Sequence, residues 1–214
     1  MVYVNHILSI FNLSTFKLII NQTYMKTRII LILALALTIT SCSEEIINCE
    51  IATSEGTISI ELYPDKAPIT VANFLKYVDA DLYTNSSFFR VTTPENEATR
   101  DVKIEVIQGG NVLRENDFDP IEIETTEKTG ILHEDGTLSM ARSGPNSATS
   151  SFFICINAQP SLDFAGKRNP DGFGFAAFGK VTQGMDLVKK IQSGENKNQR
   201  LLEPIVIKSI KRVE

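Results

Sequence analysis

The chemistry open to this chain is narrowed by how few of the usual reactive side chains it holds. Its 214 residues include two histidines, His6 and His133, and three cysteines, Cys42, Cys49 and Cys155. Multi-histidine metal centres and most histidine-based catalysis are thereby set aside, and no metal site or cofactor is indicated. A hydrolase needs a base, and past the leader only His133 is offered, in the turn-like run Leu132-His133-Glu134-Asp135-Gly136. Its conceivable partner, Cys155, lies in Phe152-Phe153-Ile154-Cys155-Ile156, an apolar strand in which a small core residue is the better reading. What remains is a cation in an apolar setting. Arg90 follows Phe88-Phe89 and precedes Val91, surroundings that suit a surface ion pair poorly. A guanidinium held there is permanently charged and can donate strong hydrogen bonds without transferring a proton.

Charge and hydropathy patterning divide the chain before any element is assigned. Hydrophobic residues make up 43% and charged ones 22%, a globular composition that excludes a disordered chain or a multi-pass membrane protein. The net charge is −5, yet residues 1–41 hold Lys17, Lys26 and Arg28 and no acid, so the rest of the chain is the more acidic part. That acidic body argues against nucleic-acid binding, which needs clustered cations. Met25-Lys26-Thr27-Arg28 supplies a short cationic start, and Ile29 to Ile39 is apolar apart from Thr38. This run is shorter than the ~20 residues a bilayer span requires and suits a secretory signal. Ile39-Thr40-Ser41-Cys42 resembles the bacterial lipoprotein signal, in which the cysteine is diacylated and becomes the mature N-terminus. The reading is therefore a leader over 1–41, with 1–24 an over-extended start, and a lipidated tether over 42–45. A signal anchor or an uncleaved helix is the competing reading. Cys49 and Cys155 are expected as free or buried thiols.

Alternation and turn signals organise the remainder. Ile58, Ile60 and Leu62 alternate with Thr57, Ser59 and Glu61, and Ser54-Glu55-Gly56 precedes them, which predicts a hairpin. Val71, Phe74, Leu75 and Val78 fall at helical spacing, with Thr70 as the expected N-cap and Pro68 barring an earlier start. Short strands are predicted at 87–91, 104–108, 137–141, 152–156, 175–181 and 205–213, and a second helix at 186–191. Many short strands with two helices suggest a closed antiparallel barrel capped by helices, a mainly β fold. The polar stretch Thr92–Lys103 reads as an exposed inserted loop.

Four segments, in order, resemble the cyclophilin family of peptidyl-prolyl cis-trans isomerases. They are Ser87-Phe88-Phe89-Arg90-Val91, Ile107-Gln108-Gly109-Gly110, Leu138-Ser139-Met140-Ala141-Arg142 with Gly144-Pro145-Asn146, and Ser151-Phe152-Phe153-Ile154. The resemblance continues through Phe178-Gly179-Lys180-Val181 and covers roughly 46–213, giving an isomerase domain over 46–214. It implies an eight-stranded barrel with a helix at each end. It implies Arg90 as the catalytic arginine and Gln108 as the glutamine that orients it and bonds the peptide. Phe88, Val106, Phe153, Leu162 and Phe175 are then substrate-pocket positions, and Ala141, Arg142 and Ser143 the edge along which the substrate backbone lies. Several family positions differ: Glu105 falls near a pocket phenylalanine, Ser161 replaces a rim tryptophan, Ser151 a glutamine and Phe175 a histidine. The expected partners are proline-containing unfolded or partly folded polypeptides and, through the anchor at Cys42, a membrane. The expected state is a monomer on a bacterial envelope membrane facing the periplasm or exterior. The alternative is a catalytically weak module or chaperone that binds proline-containing peptides, with a lipid-anchored scaffold a third reading.

Overall fold

A computed structural model describes residues 44–213, together with Gln22 and Met25. Apart from Gln22 and Met25, the leader lies outside the described residues, as does the acylation site proposed at Cys42. Among those described, no helix is long and apolar enough to cross a membrane.

The elements run in the order β1 (Ile47–Thr53), β2 (Thr57–Leu62), α1 (Pro68–Asp79), β3 (Ser87–Thr92), β4 (Val106–Gly109), α2 (Thr126–Thr129), β5 (Thr137–Met140), β6 (Phe152–Cys155), β7 (Ala176–Gln183), α3 (Met185–Gln192), β8 (Asn196–Lys197) and β9 (Arg200–Val213). Eight strands form an antiparallel ring in the order β1-β2-β7-β5-β6-β4-β3-β9, and pairing of β1 with β9 closes it. The two-residue β8 stands outside the ring as a hairpin partner of β9. Closure leaves no exposed edge among the eight, which is how an all-β fold avoids pairing with its neighbours. The first hairpin turns at Ser54–Gly56 as expected, with Thr53 N–H donating to Gly56 O at 2.8 Å.

Alternation splits each strand between two apolar layers. Phe152 and Ile154 of β6 point into the main core with Ile107, Leu138, Phe178 and Ile210, whereas Phe153 and Cys155 point the other way. There they meet Ile104, Val106 and Leu162 in a second, smaller cluster against which Ala141 and Phe175 pack. Helices α1 and α3 add Phe74, Val78, Val188 and Ile191 to the main core.

Three sequence expectations need correction here. Helix α1 starts at Pro68, with Ala67 as its N-cap rather than Thr70. Proline is tolerated at the first helical position because its missing N–H would have no intrahelical partner there. The free N–H groups of Ile69 and Thr70 donate instead to the Glu124 carboxylate at 3.2 and 2.8 Å, and the Thr70 hydroxyl donates to it at 2.7 Å. The segment 92–103 is also not simply an exposed loop: Thr92 and Glu97 are buried, and Glu97 carries a network described below. Strand β9 begins five residues earlier than expected, at Arg200.

Candidate active site

Three strand registers set the site. Arg90 of β3 pairs with Gln108 of β4, Gln108 with Phe153 of β6, and Phe153 with Ser139 of β5. Arg90, Gln108 and Phe153 therefore stand in one row across neighbouring strands. Strict alternation would send Phe88 and Arg90 to the same face. A register irregularity between them against β9 breaks that parity, as a β-bulge does. The Phe88 ring turns wholly into the main core, T-shaped on Phe152 at 5.9 Å, while Arg90 reaches the second face half-buried. Phe88 is thus a core residue, and its assignment to the substrate pocket is corrected. The adjoining glycines make room for the rings: a Cβ on Gly109 would lie 2.7 Å from Phe88, and one on Gly110 2.8 Å from Phe152.

The Arg90 guanidinium is held on two sides by neutral amides. Its Nη1 donates to Gln108 Oε1 at 2.8 Å, and Nε and Nη2 both donate to Gln199 Oε1 at 2.9 and 2.7 Å. Arginine has five N–H donors, and three are engaged here, so two remain for a ligand. Burial and the nearby charge of Arg168 hold its pKa below the usual arginine range. Gln199 sits in the two-residue turn between β8 and β9, where Asn198 and Gln199 both take positive φ (52° and 69°). That is the left-handed conformation tight hairpins require. Its own Nε2 donates to Glu97 Oε1 at 3.1 Å. Glu97 also receives Arg168 Nη1 and Nη2 at 2.9 and 2.5 Å and the Ile104 N–H at 2.9 Å. Burial alone would raise the Glu97 pKa; the bonds from Arg168 and Ile104 outweigh it and hold the carboxyl low.

Beside Arg90 opens a cavity of about 240 Å³. Its apolar side is Ile104, Val106, Ala141, Phe153, Leu162 and Phe175; its polar side is Gln108, Asn169 and the four arginines 90, 100, 142 and 168. Phe153 and Phe175 meet edge to face at 5.4 Å, and His133 stacks on Phe153 at 6.0 Å. The structure thus brings together Arg90, Gln108, Val106, Ala141, Arg142, Phe153, Leu162 and Phe175, and leaves out Phe88 and Ser143. Strand β5 ends at Met140, and Ser143 is exposed in the following loop with its N–H donating to Ser147 Oγ at 3.1 Å. Arg142 is pinned by donation to Gly174 O and by a two-pronged contact with Asp171. Glu105 turns away from the pocket and accepts from Asn157, and Ile104 supplies the wall instead. Sequence reading missed Arg100, Ile104, Arg168 and the pair Gln199–Glu97. An Asn-Gln turn signal marks the hairpin that carries Gln199, but one buried glutamate within a polar run has no distinguishing mark.

Other chemistries find no footing. His133 is buried, with Nδ1 2.7 Å from Asp163 and Nε2 2.9 Å from Ser139 Oγ, but Ser139 has no exposed surface from which to attack a substrate. Cys155 is fully buried and its thiol is pushed far above the ordinary range by burial. Among the described residues no group of His, Cys, Asp or Glu is arranged to hold a metal ion.

A closed barrel carrying an amide-clamped guanidinium beside a small aromatic-floored socket defines a site with room for a compact apolar ring next to a hydrogen-bond donor. Residues 48–212 match the model of the cyclophilin type peptidyl-prolyl cis-trans isomerases, and the chain belongs to that family of isomerases. It is 34% identical over 172 residues to a peptidyl-prolyl cis-trans isomerase of Streptomyces antibioticus, covering 76% of this chain and 96% of the relative. It is 37% identical over 145 residues to peptidyl-prolyl cis-trans isomerase B of Escherichia coli, covering 65% and 80%. A cyclophilin type isomerase of Cryptosporidium parvum, solved in the presence of the dipeptide Ala-Pro, shares the fold. The TM-score is 0.62 at 22% identity, with 78% of this chain and 99% of that one covered.

Proposed function

We propose that this isomerase accelerates X–Pro rotation in exported polypeptides as they fold, working as a monomer from a lipid anchor at Cys42 on a bacterial membrane, facing the periplasm or exterior. Amide resonance sets a barrier of ~18–20 kcal/mol, and the uncatalysed step takes tens to hundreds of seconds. No nucleophile is needed. The transition state is a twisted amide whose prolyl nitrogen has regained its lone pair, so a donor aimed at that nitrogen binds it more strongly than the planar ground state. The observation that carries this reading is the Arg90 clamp. Its acceptors are neutral, so they fix the guanidinium without cancelling its charge, and two N–H groups stay free. A charge-assisted hydrogen bond is worth about 1.5–3 kcal/mol, which corresponds to about 10- to 150-fold in rate. The ring itself offers no donor and must be held by contact with Phe153, Leu162 and Val106; each buried methylene contributes about 0.8 kcal/mol.

The test follows a cis-prolyl tetrapeptide and a proline-limited refolding reaction with the full chain purified in detergent. Acceleration is expected, and Arg90→Ala should lose most of it while melting as the parent does. Equal rates for parent and variant would sink the enzymatic reading and leave peptide binding without turnover. The anchor has its own check: the intact mass of protein extracted from membranes should correspond to a chain beginning at a diacylated Cys42. An unmodified Cys42 behind Met1 or Met25 would contradict it. The leader's cationic start, its short apolar run and the small residues before Cys42 support the anchor.

A further inference from the structure

The cavity's polar side is unusual for so acidic a chain. Among the described residues, four guanidiniums line it and no carboxylate does. Two of them are answered from behind: Arg142 by Asp171 at 2.7 Å and Arg168 by Glu97 at 2.5 Å. Arg90 has only the amides of Gln108 and Gln199. Arg100, more than half exposed, approaches a carboxylate oxygen of Glu97 at 3.6 Å, but that oxygen is already committed to Arg168. Glu105, between the wall residues Ile104 and Val106 in sequence, is turned to Asn157. A fifth guanidinium, Arg200, lies over the Phe89 ring at 5.1 Å beside the same strand row. Among the described residues the four guanidiniums are thus answered by two carboxylates, leaving the site a net of two positive charges while the chain as a whole carries −5.

We infer that the isomerase selects proline-containing segments with an acidic side chain within two residues before the proline, and that Arg100 is the residue that reads it. The inference rests on the isomerase reading of the same site. Its geometry is simple. The prolyl nitrogen faces Arg90, so the preceding residue, bonded to that nitrogen, begins on the cationic side. A residue spans ~3.5 Å, and Arg100 lines the same cavity of about 240 Å³ as Arg90, so a side chain one or two positions back can extend toward the wall that carries Arg100. An aspartate or glutamate there relieves the mutual repulsion of the guanidiniums, and a lysine adds to it. Like-charge contacts at an interface discriminate more sharply than favourable ones attract.

The experiment measures isomerisation by exchange NMR, and peptide Kd by shift titration, for acetylated X-Ala-Pro-Ala and Ala-X-Pro-Ala peptides with X as Glu, Gln or Lys. The full chain in detergent is used at low salt. In at least one series the order Glu > Gln > Lys is expected, with Glu over Lys by about tenfold. Arg100→Gln should compress that ratio to about twofold and Arg100→Lys should keep most of it, and added salt should shrink it in the parent. A parent that treats the three peptides alike overturns the inference, and so does a ratio that survives in Arg100→Gln. Rate enhancement without charge order defeats the inference and spares the isomerase. Ordered Kd values without rate enhancement do the reverse.

Discussion

At the scale of single residues, the Arg90 guanidinium is held by Gln199 through more hydrogen bonds than by Gln108, its partner on the neighbouring strand. Two of its three internal hydrogen bonds end on one amide oxygen of Gln199, which does not itself line the cavity. Gln199 is a positioning residue, and two substitutions separate placement from charge. Gln199→Ala frees the guanidinium and is expected to lower kcat about tenfold with little change in KM. Gln199→Glu keeps an acceptor in place but sets a negative charge against Arg90 and against the buried Glu97 carboxylate, so it should slow the reaction and also lower the melting temperature. If Gln199→Glu isomerises as fast as the parent, the neutrality of the clamp is irrelevant. Arg90 and Gln108 were legible because each stands in a short motif. Gln199 was not: its part in the site follows from a hairpin that brings it beside a strand 109 residues away in the chain.

At the scale of elements, the strands were legible and the inserted segment was not. The short, wholly apolar run 152–155 identifies a strand, but it cannot say that one of its faces makes the core and the other a binding pocket. The bulge in β3 is likewise invisible in the residues, so Phe88 read as a pocket residue. The 92–103 segment looks like solvated loop by composition, whereas Glu97 within it is buried and holds Arg168, Gln199 and the Ile104 amide together. Removing one partner of a buried ion pair costs about 3–5 kcal/mol because the other charge is stranded. Glu97→Gln is accordingly expected to lower the melting temperature by several degrees at neutral pH. Because the folded state holds the Glu97 carboxyl below its ordinary value, its contribution is complete above the ordinary glutamate range and fades as pH falls through the lowered folded value. Parent and variant should therefore differ at pH 7 and converge in acid. A gap that persists unchanged in strong acid would show that the carboxylate's charge is not what stabilises the network.

At the scale of the whole molecule, the closed barrel was legible because eight short strands and two helices at these spacings admit few other architectures. The short β8 and the extension of β9 back to Arg200 were less so, since Pro204 lies inside a strand whose early part departs from regular pairing with β3. Cys49 of β1 lies in the main core and Cys155 of β6 in the smaller cluster behind the pocket, and neither has exposed surface. Burial pushes the Cys49 thiol to about 11 and holds the Cys155 thiol well above its ordinary range. Reactivity follows the thiolate and its access, so neither sulfur can meet a reagent until the strands around it part. The domain thus contains two internal clocks of its own opening, on strands separated within the ring. Under native conditions Ellman's reagent should leave both untouched for as long as the fold persists, and in urea the two should react together. Early labelling of Cys49 alone would reveal that the β1–β9 seam unzips ahead of the rest.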